Sequence, residues 1–360
     1  MNRFTANVCG NVCETVCGEY IFHLPLSLHC YIVDNMNNTT LKEISKVLGI
    51  SISTVSRALK NHPDIADRTK QRVTELANTL DYEPNANAIQ LRTSKSNVFG
   101  LVVPFISNFF YHSFIASVEE ESRRNNYSLI ILQSGDDPLI EISNLKLCRQ
   151  NRISGLFACI SSQTSNVEAY LKLKELDIPV IFFDKVPDIN NCNKVCVADA
   201  AAATMAANTI IDKKKKKVLS VFGNINLSIT KKRLAAFTKT IGNQIILDIQ
   251  HANSADEAEA ITLHGLAENP DTIFCMSDEI LSGVMKAIQK SGLKIPGDIA
   301  VIAISNGLIP KLFYPEITYV ETSGYKLGKL AFSSMMACIA GSTFIQELTT
   351  ESVLVEGGSI

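Results

Sequence analysis

The sequence lacks the features that would place it in a membrane or mark it for export. The apolar stretch over residues 20–33 is shorter than the roughly 20 residues that a helix needs to cross a bilayer, and it contains Pro25. Glu14 and Glu19 precede this stretch, where a secretory signal would carry basic residues. We therefore expect a protein of the cytoplasm that makes no membrane contact.

Several catalytic and cofactor patterns are also missing. The chain has no Gly-rich phosphate loop, no dinucleotide fingerprint and no pair of histidines at metal-ligand spacing. Cys9, Cys13 and Cys17 are regularly spaced, but their spacing matches no usual zinc pattern. We expect no enzymatic activity, no metal and no cofactor.

What is present is the composition of a globular protein with an uneven charge distribution. Hydrophobic residues make up 46% and charged residues 19% of the 360 residues, which excludes a disordered chain. The net charge is −2, yet residues 36–95 hold nine Lys and Arg against six Asp and Glu. A small basic segment joined to a mildly acidic remainder is compatible with nucleic-acid binding.

Residues 36–83 have the pattern of three short helices. Thr40 and Glu43 match a capping box at the start of the first helix, and Gly49 supplies the turn that follows. Ser51 can cap a second helix whose exposed N-terminal side chains would suit a DNA major groove. The bare pattern is equally typical of a three-helix bundle that only packs. The predicted DNA-contacting side chains of this segment are Thr40, Ser51, Ile52, Ser53, Thr54, Ser56 and Arg57.

The next segment makes the pattern more specific. From Thr40 onward the motif T-L-K-E-I-S-K-x-L-G-I-S-x-S-T-V-S-R-A-L is followed by Y-x-P-N-A-x-A-x-x-L-R. Together they resemble the helix-turn-helix head and hinge of lac-repressor/Gal-repressor family regulators. The resemblance extends more loosely to about Glu351 and leaves residues 1–35 uncovered. We expect those residues to be a tail, either disordered or translated from a start codon upstream of Met36.

The resemblance carries functional expectations for the hinge. It implies a hinge helix and linker over residues 84–97 that order when a homodimer binds a near-palindromic operator in double-stranded DNA. It also implies that Leu91 enters the minor groove as an apolar wedge, which bends the duplex. Asn85 and Ala88 are the other hinge residues predicted to contact DNA. A leucine at this place could instead pack against the rest of the chain.

From Val98 to the end, apolar runs alternate with helical patterns, which indicates an α/β domain with parallel sheets. The resemblance implies two lobes with a cleft between them, as in periplasmic sugar-binding proteins, over residues 98–360. The predicted strands are Val98–Val103, Ser128–Leu132, Gly155–Ile160, Pro179–Phe183, Val218–Phe222, Ile245–Ile249, Thr272–Met276 and Ile299–Ile304.

Ligands of parallel α/β sheets bind beyond the carboxyl ends of the strands, so the residues just after each strand are candidates. Phe110 and Tyr111 follow the first strand, Asp184 the fourth and Asp278 the seventh, while Arg233 lies near the start of a helix. Carboxylates and a guanidinium bind hydroxyls, and aromatic faces cover a ring. We predict that these five residues bind a small sugar-like effector, although each could be an ordinary capping or surface group.

The sequence thus favours a DNA-binding transcription regulator whose operator affinity is controlled by a small effector. A repressor is the favoured kind of regulator. A solute-binding protein with the same body fold is the alternative, and the basic head argues against it. An enzyme on this scaffold would need catalytic residues that the pattern does not contain.

Overall fold

A computed structural model describes residues 12–17, 20–25, 40–83, 96–164 and 166–360 of the chain. The chain divides into two compact units, Met1–Ser94 and Lys95–Ile360. None of the described helices is long and apolar enough to cross a membrane.

The described part of the predicted tail forms a short hairpin. Strand β1 (Val12–Cys17) pairs antiparallel with β2 (Tyr20–Pro25). The predicted tail therefore contains one element of regular structure, which the sequence pattern does not indicate.

The head consists of three helices, as the sequence predicts. They are α1 (Leu41–Leu48), α2 (Ile52–Leu59) and α3 (Asp67–Thr79). Both halves of the capping box form, because the backbone N–H of Thr40 donates to Glu43 Oε2 at 2.7 Å and Thr40 Oγ1 accepts from the N–H of Glu43 at 3.3 Å. Gly49 ends α1 with a φ of 67°, a conformation that suits glycine. The buried core residues of the head are Ile44, Val55, Ala58, Val73 and Ala77.

Most of the predicted hinge and linker, residues 84–95 of 84–97, lies outside the described residues. The predicted hinge helix, with Asn85, Ala88 and Leu91, therefore stays a prediction.

The second unit alternates strands and helices along its length. In chain order, its elements are β3 (Val98–Val103), α4 (Phe109–Arg124), β4 (Ser128–Gln133), α5 (Pro138–Gln150), β5 (Gly155–Ala158), α6 (Glu168–Leu171), β6 (Val180–Phe183), β7 (Asn193–Val197), α7 (Asp199–Asp212), β8 (Lys217–Phe222), α8 (Ser228–Ile241), β9 (Ile246–His251), α9 (Ala255–Gly265), β10 (Thr272–Cys275), α10 (Asp278–Ser291), β11 (Ala300–Ser305), β12 (Thr318–Glu321), α11 (Gly324–Ile339), β13 (Glu347–Thr350) and β14 (Val353–Val355). Short 3₁₀ turns cover Lys174–Leu176, Leu266–Glu268 and Ile309–Leu312.

These elements form two lobes, each built on a six-stranded sheet. The first sheet has the order β13-β7-β6-β5-β3-β4 and is parallel throughout. The second has the order β14-β12-β11-β10-β8-β9, and only β14 runs antiparallel to its neighbour. The chain crosses between lobes after β7, after β12 and after β13. This confirms the predicted two-lobed α/β architecture.

All eight predicted strands are present, with ends that differ by at most two residues. Strands β7, β12, β13 and β14 were not predicted. Each is five residues or shorter, and β13 has the polar sequence Glu-Leu-Thr-Thr. Segments this short hold too few residues for a clear alternating pattern, and they become strands through pairing with neighbours elsewhere in the chain.

Each lobe has its own aromatic core beneath the sheet. In the first lobe Phe114 stacks on Phe183 with ring centroids 3.7 Å apart, and in the second Phe237 stacks on Phe274 at 4.3 Å. These rings are fully buried. The cores hold the strand ends in place, and those ends carry the cleft residues described below.

Candidate DNA-binding surface and ligand cleft

The start of α2 presents a row of hydroxyl and apolar side chains to solvent. Ser51 Oγ accepts a 3.0 Å hydrogen bond from the backbone N–H of Thr54 and lies 2.7 Å from Ser53 Oγ and 2.8 Å from Thr54 Oγ1. Ile52 and Arg57 are exposed beside this cluster, and Ser56 is half-buried. Hydroxyls can bind phosphates or bases, an isoleucine can contact a thymine methyl, and an arginine can bind phosphate or guanine.

Two of the residues that are predicted to contact DNA also stabilise the helices of the head. The hydroxyls of Thr40 and Ser51 cap the helices that follow them. A cap contributes about 1 kcal/mol to stability whether or not DNA is bound. The structure thus shows the helix-stabilising part of their role, and the contact with DNA remains predicted.

A cleft of about 810 Å³ opens in the second unit, and residues of both lobes line it. All five residues predicted to bind the effector are among the lining residues: Phe110, Tyr111, Asp184, Arg233 and Asp278. They come together because the carboxyl ends of both parallel sheets face the cleft. A volume of this size suits a small molecule.

The wall of the first lobe is organised around Tyr111. Its hydroxyl donates to Asp184 Oδ2 at 2.8 Å, and the thiol of Cys159 lies 3.4 Å from the same hydroxyl. Burial, with Asp184 and Cys159 nearby, holds the pKa of Tyr111 well above its ordinary value. The phenol therefore stays neutral and keeps the Asp184 carboxylate oriented at the cleft.

The first lobe contributes a second group of polar side chains, which was not predicted from the sequence. Asp136 lies in the loop after β4, Ser162 after β5 and Lys185 after β6, and all three line the cleft. Lys185 Nζ is 3.4 Å from Asp136 Oδ1, which also accepts from the N–H of Ser162 at 3.1 Å. The sequence could have identified all three residues, because each follows a predicted strand.

In the second lobe, Arg233 is held by partners that belong to the protein. Its Nε and Nη2 donate to Asp199 Oδ1 at 2.9 and 2.8 Å, and Nη1 donates to the carbonyl oxygen of Met276 at 2.8 Å. Arg233 is only 4% exposed. Burial raises the pKa of Asp199, although the adjacent guanidinium acts in the opposite direction. Arg233 is thus a buried structural cation as well as a cleft residue.

Asp278 likewise joins the cleft to the surrounding framework. It is the first residue of α10, and its carboxylate accepts from the Ser305 hydroxyl and, at 2.8 Å, from the N–H of Asn306. Burial raises the pKa of Asp278. The Asn306 side chain in turn reaches the other lobe, where it donates to the carbonyl oxygen of Phe109 at 3.3 Å. Asp278 is therefore one hydrogen bond away from a contact between the lobes.

Within residues 40–83, 96–164 and 166–360, no group of three or more His, Cys, Asp or Glu side chains is arranged to hold a metal ion.

Two family profiles match the chain. Residues 96–354 match the profile described as periplasmic binding proteins and sugar binding domain of LacI family, and residues 40–85 match bacterial regulatory proteins, lacI family. The boundary between the two matches falls near the boundary between the two structural units.

Similar proteins of known role are transcription regulators. The chain is 25% identical to the HTH-type transcriptional repressor PurR of Vibrio vulnificus (strain CMCP6) over 82% of this chain and 91% of the relative. It is 26% identical to the ribose operon repressor of Haemophilus influenzae over the same shares, and 27% identical to the HTH-type transcriptional regulator RegA of Clostridium acetobutylicum over 83% and 92%.

Solved structures share the fold. The lac repressor dimer bound to operator and the anti-inducer ONPF superposes with a TM-score of 0.80 at 19% identity, covering 90% of this chain and 99% of the other. A periplasmic binding protein/LacI transcriptional regulator from Alkaliphilus metalliredigens QYMF complexed with D-xylulofuranose gives a TM-score of 0.65 at 24% identity, covering 73% of this chain and 99% of the other. Because the two family profiles cover both the head and the body, a regulator is favoured over a solute-binding protein. The chain belongs to the LacI family of bacterial regulatory proteins, which are DNA-binding transcription regulators with a ligand-binding domain and not enzymes.

Proposed function

We propose that this protein binds a near-palindromic operator as a homodimer in the bacterial cytoplasm, and that a small sugar-like molecule in the cleft controls its operator affinity. The observation that carries this proposal is the cleft itself, in which residues of both lobes meet at the carboxyl ends of two parallel sheets. A ligand that contacts both lobes can favour one relative arrangement of them over another.

The DNA-binding part of the proposal depends on α2. The hydroxyls of Ser53 and Thr54 both lie within hydrogen-bonding distance of the Ser51 hydroxyl at the helix start. Their positions are therefore set before DNA binds, which reduces the entropy lost on binding. Arg57, one turn further along, supplies a positive charge for a phosphate or a guanine.

The homodimer is supported by apolar side chains at matching edges of the two sheets. β4 ends the first sheet and β9 ends the second. Ile131 on β4 and Ile246 on β9 are exposed, as are Leu139 and Ile142 on the neighbouring α5. Exposed apolar strands at a sheet edge favour association, and a two-fold partner would cover both edges with the same surfaces.

Control by the ligand requires that its affinity differ between the DNA-binding and the non-binding state. The bond from Asn306 to Phe109 joins the lobes close to Asp278, so a ligand at Asp278 would act where the lobes meet. We propose this region as the route by which occupancy of the cleft changes lobe closure.

The test is a selection with the full chain. The purified protein is mixed with fragmented DNA from its own genome at moderate salt, and the bound fragments are sequenced. We expect enrichment of one near-palindromic site. Only salt-sensitive binding without an enriched site would contradict the proposal.

A matched pair of variants in the head tests the role of α2. Arg57→Ala removes an exposed charge from α2, and Gln71→Ala changes an exposed polar residue on α3. We expect Arg57→Ala to weaken binding to the enriched site by about tenfold or more and Gln71→Ala to leave it unchanged. Equal effects of the two substitutions would argue against α2 as the DNA-contacting helix.

A further inference from the structure

The charged side chains that line the cleft are mostly acidic. Four carboxylates and two cations line it. They are Asp136, Asp184, Asp278 and Glu279 on the acidic side, and Lys185 and Arg233 on the basic side.

Both cations already have a carboxylate of the protein as a partner. Lys185 Nζ lies 3.4 Å from Asp136 Oδ1, and Arg233 Nη2 lies 2.8 Å from Asp199 Oδ1. Each pair is largely removed from solvent, with all four side chains less than a quarter exposed. Neither cation is therefore free to neutralise a negatively charged ligand.

The other three carboxylates that line the cleft are Asp184, Asp278 and Glu279. The described hydrogen bonds to the first two come from neutral donors. Asp184 accepts from the Tyr111 hydroxyl, and Asp278 accepts from the Ser305 hydroxyl and the N–H of Asn306. Glu279, the second residue of α10, is exposed at the cleft. Neutral donors orient a carboxylate but do not cancel its charge. Arg233 attracts Asp278 electrostatically, and Lys185 attracts Glu279 and Asp184. Because these two cations are already paired with Asp199 and Asp136, five carboxylates share two positive charges and the cleft keeps a net negative charge.

This distribution selects between classes of ligand. A phosphate or carboxylate group in the cleft would meet a net negative charge and would be repelled by it. A protonated amine would gain from the same charges, while hydroxyl groups would still find acceptors. The cleft volume of about 810 Å³ and the rings of Phe109 and Phe110 at its rim leave room for one sugar ring.

On the condition that the cleft is the effector site proposed above, we infer that the effector is a positively charged, hydroxyl-rich molecule of the amino-sugar class, with its ammonium group among Asp184, Asp278 and Glu279.

Two of the three carboxylates have properties that agree with this assignment. Burial raises the pKa of Asp278, and partial burial raises the pKa of Glu279. A bound ammonium group would lower both pKa values again, so binding of an amine at a pH where these carboxyl groups are partly protonated should release protons. A neutral sugar would not produce this release.

The experiment uses matched pairs of probes with the full-length protein and isothermal titration calorimetry at pH 7. The pairs are D-glucosamine with D-glucose, D-galactosamine with D-galactose and D-mannosamine with D-mannose, and D-glucose 6-phosphate is the anionic probe. We expect at least one amine to bind about tenfold or more tightly than its neutral partner, and the phosphate not to bind.

A variant then assigns the preference to the cleft. Glu279→Gln keeps the shape of the side chain and removes its charge, so the preference for the amine should fall by about tenfold. Glu175→Gln makes the same change at an exposed residue outside the cleft and should leave the preference unchanged. Thermal unfolding of both variants shows that they are folded.

The proposal is overturned if a neutral sugar binds as tightly as its amine, if the phosphate binds more tightly, or if none of the three amines binds. Its failure can be separated from failure of the proposed function. A neutral sugar that shifts binding to the enriched DNA site would leave the regulator in place and reject only the charge of the effector.

Discussion

The head and the cleft reach their binding surfaces by opposite routes. In the head, Ser51, Ser53 and Thr54 are adjacent in sequence and one turn of helix brings their hydroxyls together. In the cleft, Tyr111 bonds to Asp184 and Arg233 to Asp199, across 73 and 34 residues of chain. The comparison teaches that a local motif can be found from sequence as a unit, whereas a cleft is found only residue by residue.

The two regions also differ in how strongly a substitution of a polar side chain affects the stability of the fold. The hydroxyls of α2 are mostly at the surface, where substitution has a small effect on stability. Arg233 and Asp199 are buried, and losing one partner leaves an uncompensated charge in the interior. Function can therefore be separated from stability in the head more readily than in the cleft.

The largest expected effect tests that separation at Arg233. Arg233→Ala should lower the free energy of unfolding of the second unit by about 3–5 kcal/mol, because Asp199 stays buried without its partner. A variant that lost only the effector response would show that the guanidinium has no structural role. Urea unfolding measures this change.

Two controls accompany the Arg233 variant. Lys232→Ala removes a half-exposed cation on the same helix, and it should change stability by less than about 1 kcal/mol. Combining Arg233→Ala with Asp199→Ala removes both charges and should recover part of the loss, as a coupled pair requires.

The next effect tests whether the head unfolds by itself. Ile44→Ala, at a fully buried position, should destabilise the head by about 3 kcal/mol and abolish operator binding. The thermal transition of the second unit should stay unchanged, which differential scanning calorimetry can check. Val47→Ala, at a partly exposed position on the same helix, is the control. A shift in both transitions would show that the two units unfold together.

A smaller effect concerns Glu141, a buried carboxyl that accepts hydrogen bonds from Thr164 and from the N–H of Ser161. Burial raises the pKa of Glu141 above its ordinary value. Its contribution to stability is therefore present at low pH and is lost as the pH rises through the raised pKa. Glu141→Gln removes this dependence, so the stability of the variant relative to the parent should increase as the pH rises above the ordinary glutamate pKa of about 4.3.

Urea unfolding of the parent and of Glu141→Gln at a series of pH values from about 4 upward measures this change in the free energy of unfolding. Glu175→Gln, at an exposed position, should follow the parent at every pH. Curves for parent and Glu141→Gln that stay parallel would show that the carboxyl titrates equally in the folded and unfolded chain.

The smallest expected effect is a gain in the stability of the head. Ala66 precedes α3 and makes no side-chain cap. Ala66→Ser should stabilise the head by about 0.5–1 kcal/mol through a new hydrogen bond to the helix start, and Ser51→Ala should destabilise it by a similar amount. Thermal unfolding of the head followed by circular dichroism would reveal both, and an unchanged midpoint for both variants would contradict them.

Much of the fold could be predicted because its signals are local. The capping box of Thr40 and Glu43 and the apolar runs of eight strands are readable in windows of a few residues. Strand β13 was missed because its short polar sequence becomes a strand only by pairing with β7, more than 150 residues away in the chain. Asp199 was missed for the same reason, since its role depends on Arg233 in a different helix.

By itself, the sequence determined the helix-turn-helix head, the alternation of strands and helices, and the five residues that would line a cleft, because periodicity, capping and strand ends are properties of neighbouring residues. Tertiary structure alone decided how those five are partnered. It joined Lys185 to Asp136 and Arg233 to Asp199, and it left the carboxylates at and beside the cleft in excess of these two cations. Electrostatic energy depends on distance in space, and distance in space between residues far apart in the chain is set only when the two sheets have formed.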